Sequence, residues 1–136
     1  MAISTPAGAG RRPRVRLAIP HEAPRVLSHA TLKASELLGL SRATLARILG
    51  VSEAGVSRLA AGGRQIEPAS KEGELALLLV RLYRSLDAMV GNDGSQRRAW
   101  LESFNRGING RPAQMILSAE GLVGVVAYLD AMRAPL

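Results

Sequence analysis

The sequence predicts an all-α fold, and three observations carry that expectation. Apolar residues recur at spacings of three and four between Leu27 and Met132, the repeat that lines one side of a helix. No strand-like alternation persists: Val123–Ala127 is β-prone in composition but lies inside the helix-spaced set Leu122, Val125, Val126 and Leu129. The third observation is the apolar complement itself. Hydrophobic residues make up 47% of the 136 residues and aromatic residues only 3%, so the core must be filled with Leu, Val, Ile, Ala and Met, which suit packed helices.

The elements follow in order. Residues 1–24 are expected to form a flexible arm, since prolines, small residues and the cluster Arg11, Arg12, Arg14 and Arg16 offer little to bury. Such an arm neutralises phosphates as a mobile cation, or it is an ordinary unstructured leader. A first helix is predicted over 27–38, with Leu27, Leu32, Leu37 and Leu38 as its apolar members and Gly39 ending it in a left-handed turn. Ser41 stands where an N-cap is needed, and Leu45, Ile48 and Leu49 form the next stripe up to Gly50. Ser52 caps a further short helix, with Glu53 in its first turn, Val56 and Leu59 facing inward, and Gly62 and Gly63 closing it.

After the turn Gln65–Pro68, residues 71–90 make the longest periodic segment, marked by Leu75, Leu78, Leu79, Leu82, Leu86 and Met89. Ala76, Leu77 and Val80 between them are also apolar, so this helix is expected to pack on more than one side. Gly91–Gly94 break the pattern. A short helix over 95–104 brings Trp100, Leu101 and Phe104 together, with Trp100 expected as the anchor of a small core or, alternatively, as a contact to a partner protein. Turn-rich Asn105–Pro112 leads to a short segment over 113–117, with Pro112 supplying a fixed φ for its start. Arg111 is expected to pair with Glu120 or Asp130 or to face water. The last helix is predicted over 119–132, where Gly121 and Gly124 leave a thin patch that another backbone can approach.

Charge divides the chain unevenly. The net charge is +7; residues 1–70 carry ten Lys/Arg against four Glu, and residues 71–136 carry eight against seven acidic groups. A positive half joined to a nearly neutral half points to a polyanion partner for the first half only. The division expected is an arm over 1–24, a helix-turn-helix unit over 25–70 and a helical protein-binding and oligomerisation unit over 71–136.

The helix-turn-helix expectation rests on residues 45–59. Two short helices cross closely only where the contact residue is small, which Ala46 satisfies, and Gly50 supplies the permissive turn between them. Val51, Val56 and Leu59 then lock the second helix in place, which is how such a unit presents that helix to a DNA major groove. Glu53, Ala54, Ser57 and Arg58 should face outward. Arg58 and Ser57 are the candidates for base-edge or phosphate contact, and the helix start at Ser52 offers amides to a phosphate. Arg42, Arg47 and Arg64 flank the unit as candidate backbone contacts. With one long donor on the reading face, a single unit would bind weakly, so a homodimer is expected.

Other classes find no support. The chain has no cysteine, which removes disulfides, thiolate metal sites and a thiol nucleophile. No apolar run reaches the length needed to span a bilayer, and no apolar stretch follows the leading arginines as in a secretory signal, so a cytoplasmic protein without membrane contact is expected. His21 and His29 have no catalytic complement, and Asp87, Asp93 and Asp130 fall at no metal-ligand spacing. Gly107–Gly110 follows no strand and is too short to cradle a dinucleotide. Neither catalysis nor a cofactor is expected.

The sequence resembles the Xre/MbcA/ParS antitoxins, which join an Xre-like helix-turn-helix to a C-terminal toxin-binding domain. The residues that carry the resemblance begin with Leu37-Leu38-Gly39-Leu40-Ser41, Leu45-Ala46 and Leu49-Gly50-Val51-Ser52, and continue through Arg81-Leu82. Ala99-Trp100-Leu101, Asn105, Gly110-Arg111-Pro112, Ser118-Ala119-Glu120-Gly121, Val125 and Leu129 complete them, over about residues 30–133. The resemblance implies the antitoxin of a bacterial type II toxin–antitoxin pair, with a RES-domain toxin that degrades NAD+ and operator DNA as its partners. It also implies that the end of the last helix lies near the toxin's NAD+ pocket, which makes Asp130, Met132, Arg133 and Leu136 the candidate toxin contacts. Arg133 matches the basic residue that family members often carry here, and Ala134 stands where they often have glycine. The alternative is a plain helix-turn-helix repressor whose second half dimerises or senses a ligand; a structural adaptor that carries no DNA is a third reading.

Overall fold

A computed structural model describes residues 22–134. Among these the fold is all-α, with seven helices: α1 Ala23–Leu37, α2 Arg42–Leu49, α3 Glu53–Ala60, α4 Lys71–Val90, α5 Gly94–Glu102, α6 Pro112–Met115 and α7 Ala119–Arg133. The arginine cluster of the leading arm, His21 and Leu136 lie outside the described residues. The expected arm is too long at its inner end, because Ala23 and Pro24 already belong to α1. Pro24 sits in the first turn, where its missing N–H is no loss and its φ is preset for a helix.

Local chemistry sets most helix limits. The side chains of Ser41, Ser52, Ser70 and Ser118 accept from the amides of Thr44, Gly55, Gly73 and Gly121, which caps α2, α3, α4 and α7. Asp93 caps α5 and accepts from the amides of Ser95 and Gln96. The Ser95 hydroxyl, followed by the Gln96 amide, holds the Asp93 carboxyl below its ordinary range. That cap is complete above the ordinary carboxylate range and weakens as the pH falls through the depressed value. Gly50 and Gly91 end α2 and α4 with φ of +71° and +70°.

Helix α4 is the centre of the packing. Ala76, Leu79, Val80, Leu82 and Leu86 are buried, and α4 packs against both α1 and α7, and also touches α2 and α5. The expectation of packing on more than one side is met, although Leu77 and Met89 remain exposed. Leu122, Val125, Val126 and Leu129 of α7 and Leu45, Ile48, Leu49, Val56 and Leu59 of the α2–α3 pair belong to the same continuous core. The only isolated β-bridge among the described residues joins Asn105 and Gly110 and closes the loop between α5 and α6.

Polar side chains fix the joints. On α1 the Ser28 hydroxyl donates to the Pro24 carbonyl (2.6 Å) and accepts from the Ile66 amide (2.7 Å), which pins the chain leaving α3 onto α1. Arg97 of α5 is 5% exposed. Its Nε donates to the Leu37 carbonyl at the end of α1 (3.2 Å), and a terminal nitrogen donates to Asp87 of α4 (2.5 Å). The guanidinium also lies 5.5 Å from the centre of the Tyr83 ring. One buried cation therefore joins three helices.

The aromatic cluster departs from expectation. Leu101 is buried, Trp100 is only half-buried, and Phe104 is 64% exposed. Helix α5 ends at Glu102, and Ser103 is extended, so Phe104 leaves the helical face that carries Trp100 and Leu101. The paired backbone bonds between Asn105 and Gly110 (2.8 and 3.2 Å) then hold the loop in its own turn. Arg111 pairs with Glu102 at 3.8 Å, rather than with Glu120 or Asp130.

The two glycines of α7 differ. A Cβ at Gly121 would lie 1.9 Å from the Met115 carbonyl oxygen, so the close approach there is internal, whereas a Cβ at Gly124 would meet nothing within 4 Å. Gly121→Ala should therefore cost about 1–3 kcal/mol or more by overpacking. Gly124→Ala should gain about 1 kcal/mol from helix propensity alone. Urea denaturation of the two variants checks this opposition of sign.

Candidate functional site

The first site is built on α2 and α3. Ala46 is buried where the two helices pack, Gly50 makes the turn, and Val56 and Leu59 turn inward and are buried. Val51 is half-buried against the same core. This arrangement leaves Glu53, Ala54 and Arg58 exposed on α3 and Ser57 half-buried, and Arg42 and Arg47 exposed on α2. A terminal nitrogen of Arg42 donates to the Ser57 hydroxyl at 3.3 Å, so these two candidates are joined across the helices. Ser52 is engaged as the cap, its oxygen 3.0 Å from the Gly55 amide.

Arg64 stands apart from the other cations. Its two terminal nitrogens donate to the two carboxylate oxygens of Glu72 on α4, one at 2.6 Å, in a forked pair. The hydrogen bonds to Glu72 raise the Arg64 pKa further above its already high ordinary value. Expected as a phosphate contact, Arg64 instead ties the exit of the α2–α3 unit to the start of α4. Glu72 has no sequence signal as its partner, because the two meet only through the turn at 65–68.

The second site is the end of α7. Asp130 Oδ2 accepts from Arg81 of α4 at 2.5 Å, and Oδ1 accepts from the Ser85 hydroxyl at 3.0 Å. A terminal nitrogen of Arg133 donates to the same Ser85 hydroxyl at 2.9 Å. Met132 is 59% exposed beside them. Asp130 and Arg133 are thus brought together at Ser85, whereas among the described residues no such bond joins Met132 to them; Asp130 directs both carboxylate oxygens inward to α4 instead of outward to a partner. Sequence reasoning missed Ser85, a serine inside a leucine-rich repeat whose role depends on which helix lies beside it.

A further concavity of about 440 Å³ opens between the end of α4, α5 and the loop after it, lined by Val90, Trp100, Phe104 and Arg106 among others. Among the described residues no group of His, Asp and Glu has the arrangement to hold a metal ion, and no helix is long and apolar enough to cross a membrane.

These features define a class, an all-α protein in which a helix-turn-helix is followed by a second helical unit. Residues 18–81 match the family model of the antitoxin Xre-like helix-turn-helix domain. Residues 85–134 match that of the antitoxin Xre/MbcA/ParS C-terminal toxin-binding domain. With both domains present in this order, the chain belongs to the Xre/MbcA/ParS antitoxins and is an antitoxin of a toxin–antitoxin system. A search of curated proteins finds no match to the chain.

Replacing Ser52 with Ala should remove the α3 cap and lower stability by about 1 kcal/mol. Chemical denaturation followed by circular dichroism measures the loss.

Proposed function

We propose that this antitoxin neutralises a RES-domain toxin that degrades NAD+, and that the toxin–antitoxin complex represses its own operon in the cytoplasm. The observation that carries the first half is the end of α7, where Arg133 and exposed Met132 stand at the tip of the helix within the toxin-binding domain. Inhibition in this reading needs no chemistry from the antitoxin. A helix end seated in a cleft excludes the dinucleotide sterically, and Arg133 or the C-terminal carboxylate takes up contacts in that cleft otherwise made to the dinucleotide. Asp130 serves there as support for the helix end, and Leu136 adds an apolar contact to the toxin.

Repression rests on the exposed cations of the α2–α3 unit. Arg58 reads a base edge or holds a phosphate, Arg42 and Arg47 position the backbone, and the amides at the start of α3 beyond Ser52 donate to a further phosphate. Ser57, held by Arg42, contributes at the groove edge. A homodimer supplies two such units and the half-site spacing that a single weak reader needs. Arg64 belongs to the framework of this reading through Glu72 rather than to the contact surface.

Two measurements test the proposal. An antitoxin ending at Ala131 keeps the Arg81–Asp130 pair and lacks Met132, Arg133 and the residues after them. It should leave the NAD+ hydrolysis of the operon's RES-domain protein uninhibited, and undiminished inhibition would reject the terminal-helix reading. Substitution of Arg47 and Arg58 with Ala should weaken operator binding, most at low salt and progressively less as salt rises. The slope of log affinity against log salt should fall by about one for each phosphate that is no longer neutralised. Toxin inhibition should be retained. A mobility-shift titration indistinguishable from the parent would remove these residues from the DNA interface.

A further inference from the structure

Ser85 is an unusual serine for this chain. It is 2% exposed on the apolar side of α4, between Leu82 and Leu86, where a hydroxyl must find partners. Other hydroxyls within or beside the helices turn back on the chain: Ser28 donates to the Pro24 carbonyl, Thr31 to the Leu27 carbonyl and Ser103 to the Ala99 carbonyl, each four residues earlier. Ser85 does not. Its hydrogen goes across to Asp130 Oδ1 at 3.0 Å, and its oxygen accepts from Arg133 at 2.9 Å.

The order of these bonds matters. A hydroxyl has one hydrogen to give, and once Asp130 has taken it the oxygen lone pairs must face a donor. Arg133 is that donor, and it is the last residue of α7. Asp130 is itself fixed by Arg81, which leaves little freedom in the direction the Ser85 hydroxyl points. A long side chain at a helix end ordinarily samples many rotamers, and ordering it on binding costs affinity. Here one terminal nitrogen is already held by a buried group, while the rest of the guanidinium extends from an exposed residue.

We propose that Ser85 is a positioning residue for Arg133: the chain Arg81–Asp130–Ser85 preorients the guanidinium at the tip of α7 for the toxin cleft. The inference rests on the terminal-helix reading given above and adds a residue that does not touch the toxin. It differs from a plain structural role, in which Ser85 would merely satisfy Asp130 and help α7 pack on α4.

A double-mutant cycle separates these. The parent, Ser85→Ala, Arg133→Ala and the double variant are compared as full chains against the operon's RES-domain protein, reading inhibition of NAD+ hydrolysis. Ser85→Ala should weaken inhibition roughly threefold to tenfold, the range for losing the preorganisation of one long side chain. In the Arg133→Ala background the same substitution should have no effect. Equal effects in both backgrounds would overturn the positioning role, because Ser85 would then act independently of Arg133. Inhibition by Arg133→Ala equal to the parent would instead overturn the terminal-helix reading. A second measurement needs no toxin: the heteronuclear NOE of the Arg133 side-chain Nε–H should approach backbone values in the parent and fall in Ser85→Ala. Identical values in the two proteins would overturn the positioning of Arg133 directly.

Discussion

A single helix with apolar residues on more than one side cannot be left half-covered, and the rest of this structure depends on that constraint. Leu79, Val80, Leu82 and Leu86 of α4 are buried because α1 closes one side and α7 another. The hydrophobic effect sets the need for cover but not its direction. Direction comes from polar groups that have one good solution each. Ser28 receives the Ile66 amide, Arg64 forks onto Glu72, Asp130 reaches Arg81 and Ser85, and Arg97 bonds to Asp87 and the Leu37 carbonyl. A core filled by aliphatic side chains is adaptable in packing, so these directional bonds carry much of the uniqueness of the fold.

The parts of the fold that are legible in the sequence are those fixed by local chemistry. Ser41, Gly50 and Ser52 announce their turns because a cap and a left-handed residue act within four positions of the chain. The inward set of α7 follows from its spacing, and Val125, Val126 and Leu129 are buried as that spacing requires. Expectation and structure part where distant groups decide. Helical spacing puts Phe104 beside Trp100, but α5 ends at Glu102 and the extended Ser103 carries the chain off the helix before Phe104, into the loop that the Asn105–Gly110 bridge closes. Helix α1 begins earlier than its first leucine because Pro24 favours a helix start whatever its hydrophobicity.

The candidate sites divide along the same line. The exposure of Arg42, Arg47 and Arg58 is a consequence of helical spacing and can be read directly. The engagement of Arg64 with Glu72 cannot, since an arginine carries no local mark of being paired. Nor does a periodic pattern distinguish an aspartate that faces a partner from one that faces its own neighbouring helix. Asp130 is of the second kind. The family resemblance supplies the protein-binding role of the C-terminal half, which composition alone leaves as an apolar, charge-balanced segment.

The buried Arg97 has an evolutionary corollary. It lies on the part of the chain that matches the toxin-binding domain, yet one of its acceptors is the final carbonyl of α1, in the part that matches the helix-turn-helix domain. Recombination that exchanged either half for a foreign one would leave Arg97 its pair with Asp87 but deprive its buried Nε–H of an acceptor, unless the newcomer ended a helix at the same point. Such a joint couples the two halves through one buried side chain, so a substitution that shifts the end of α1 reaches α5 directly.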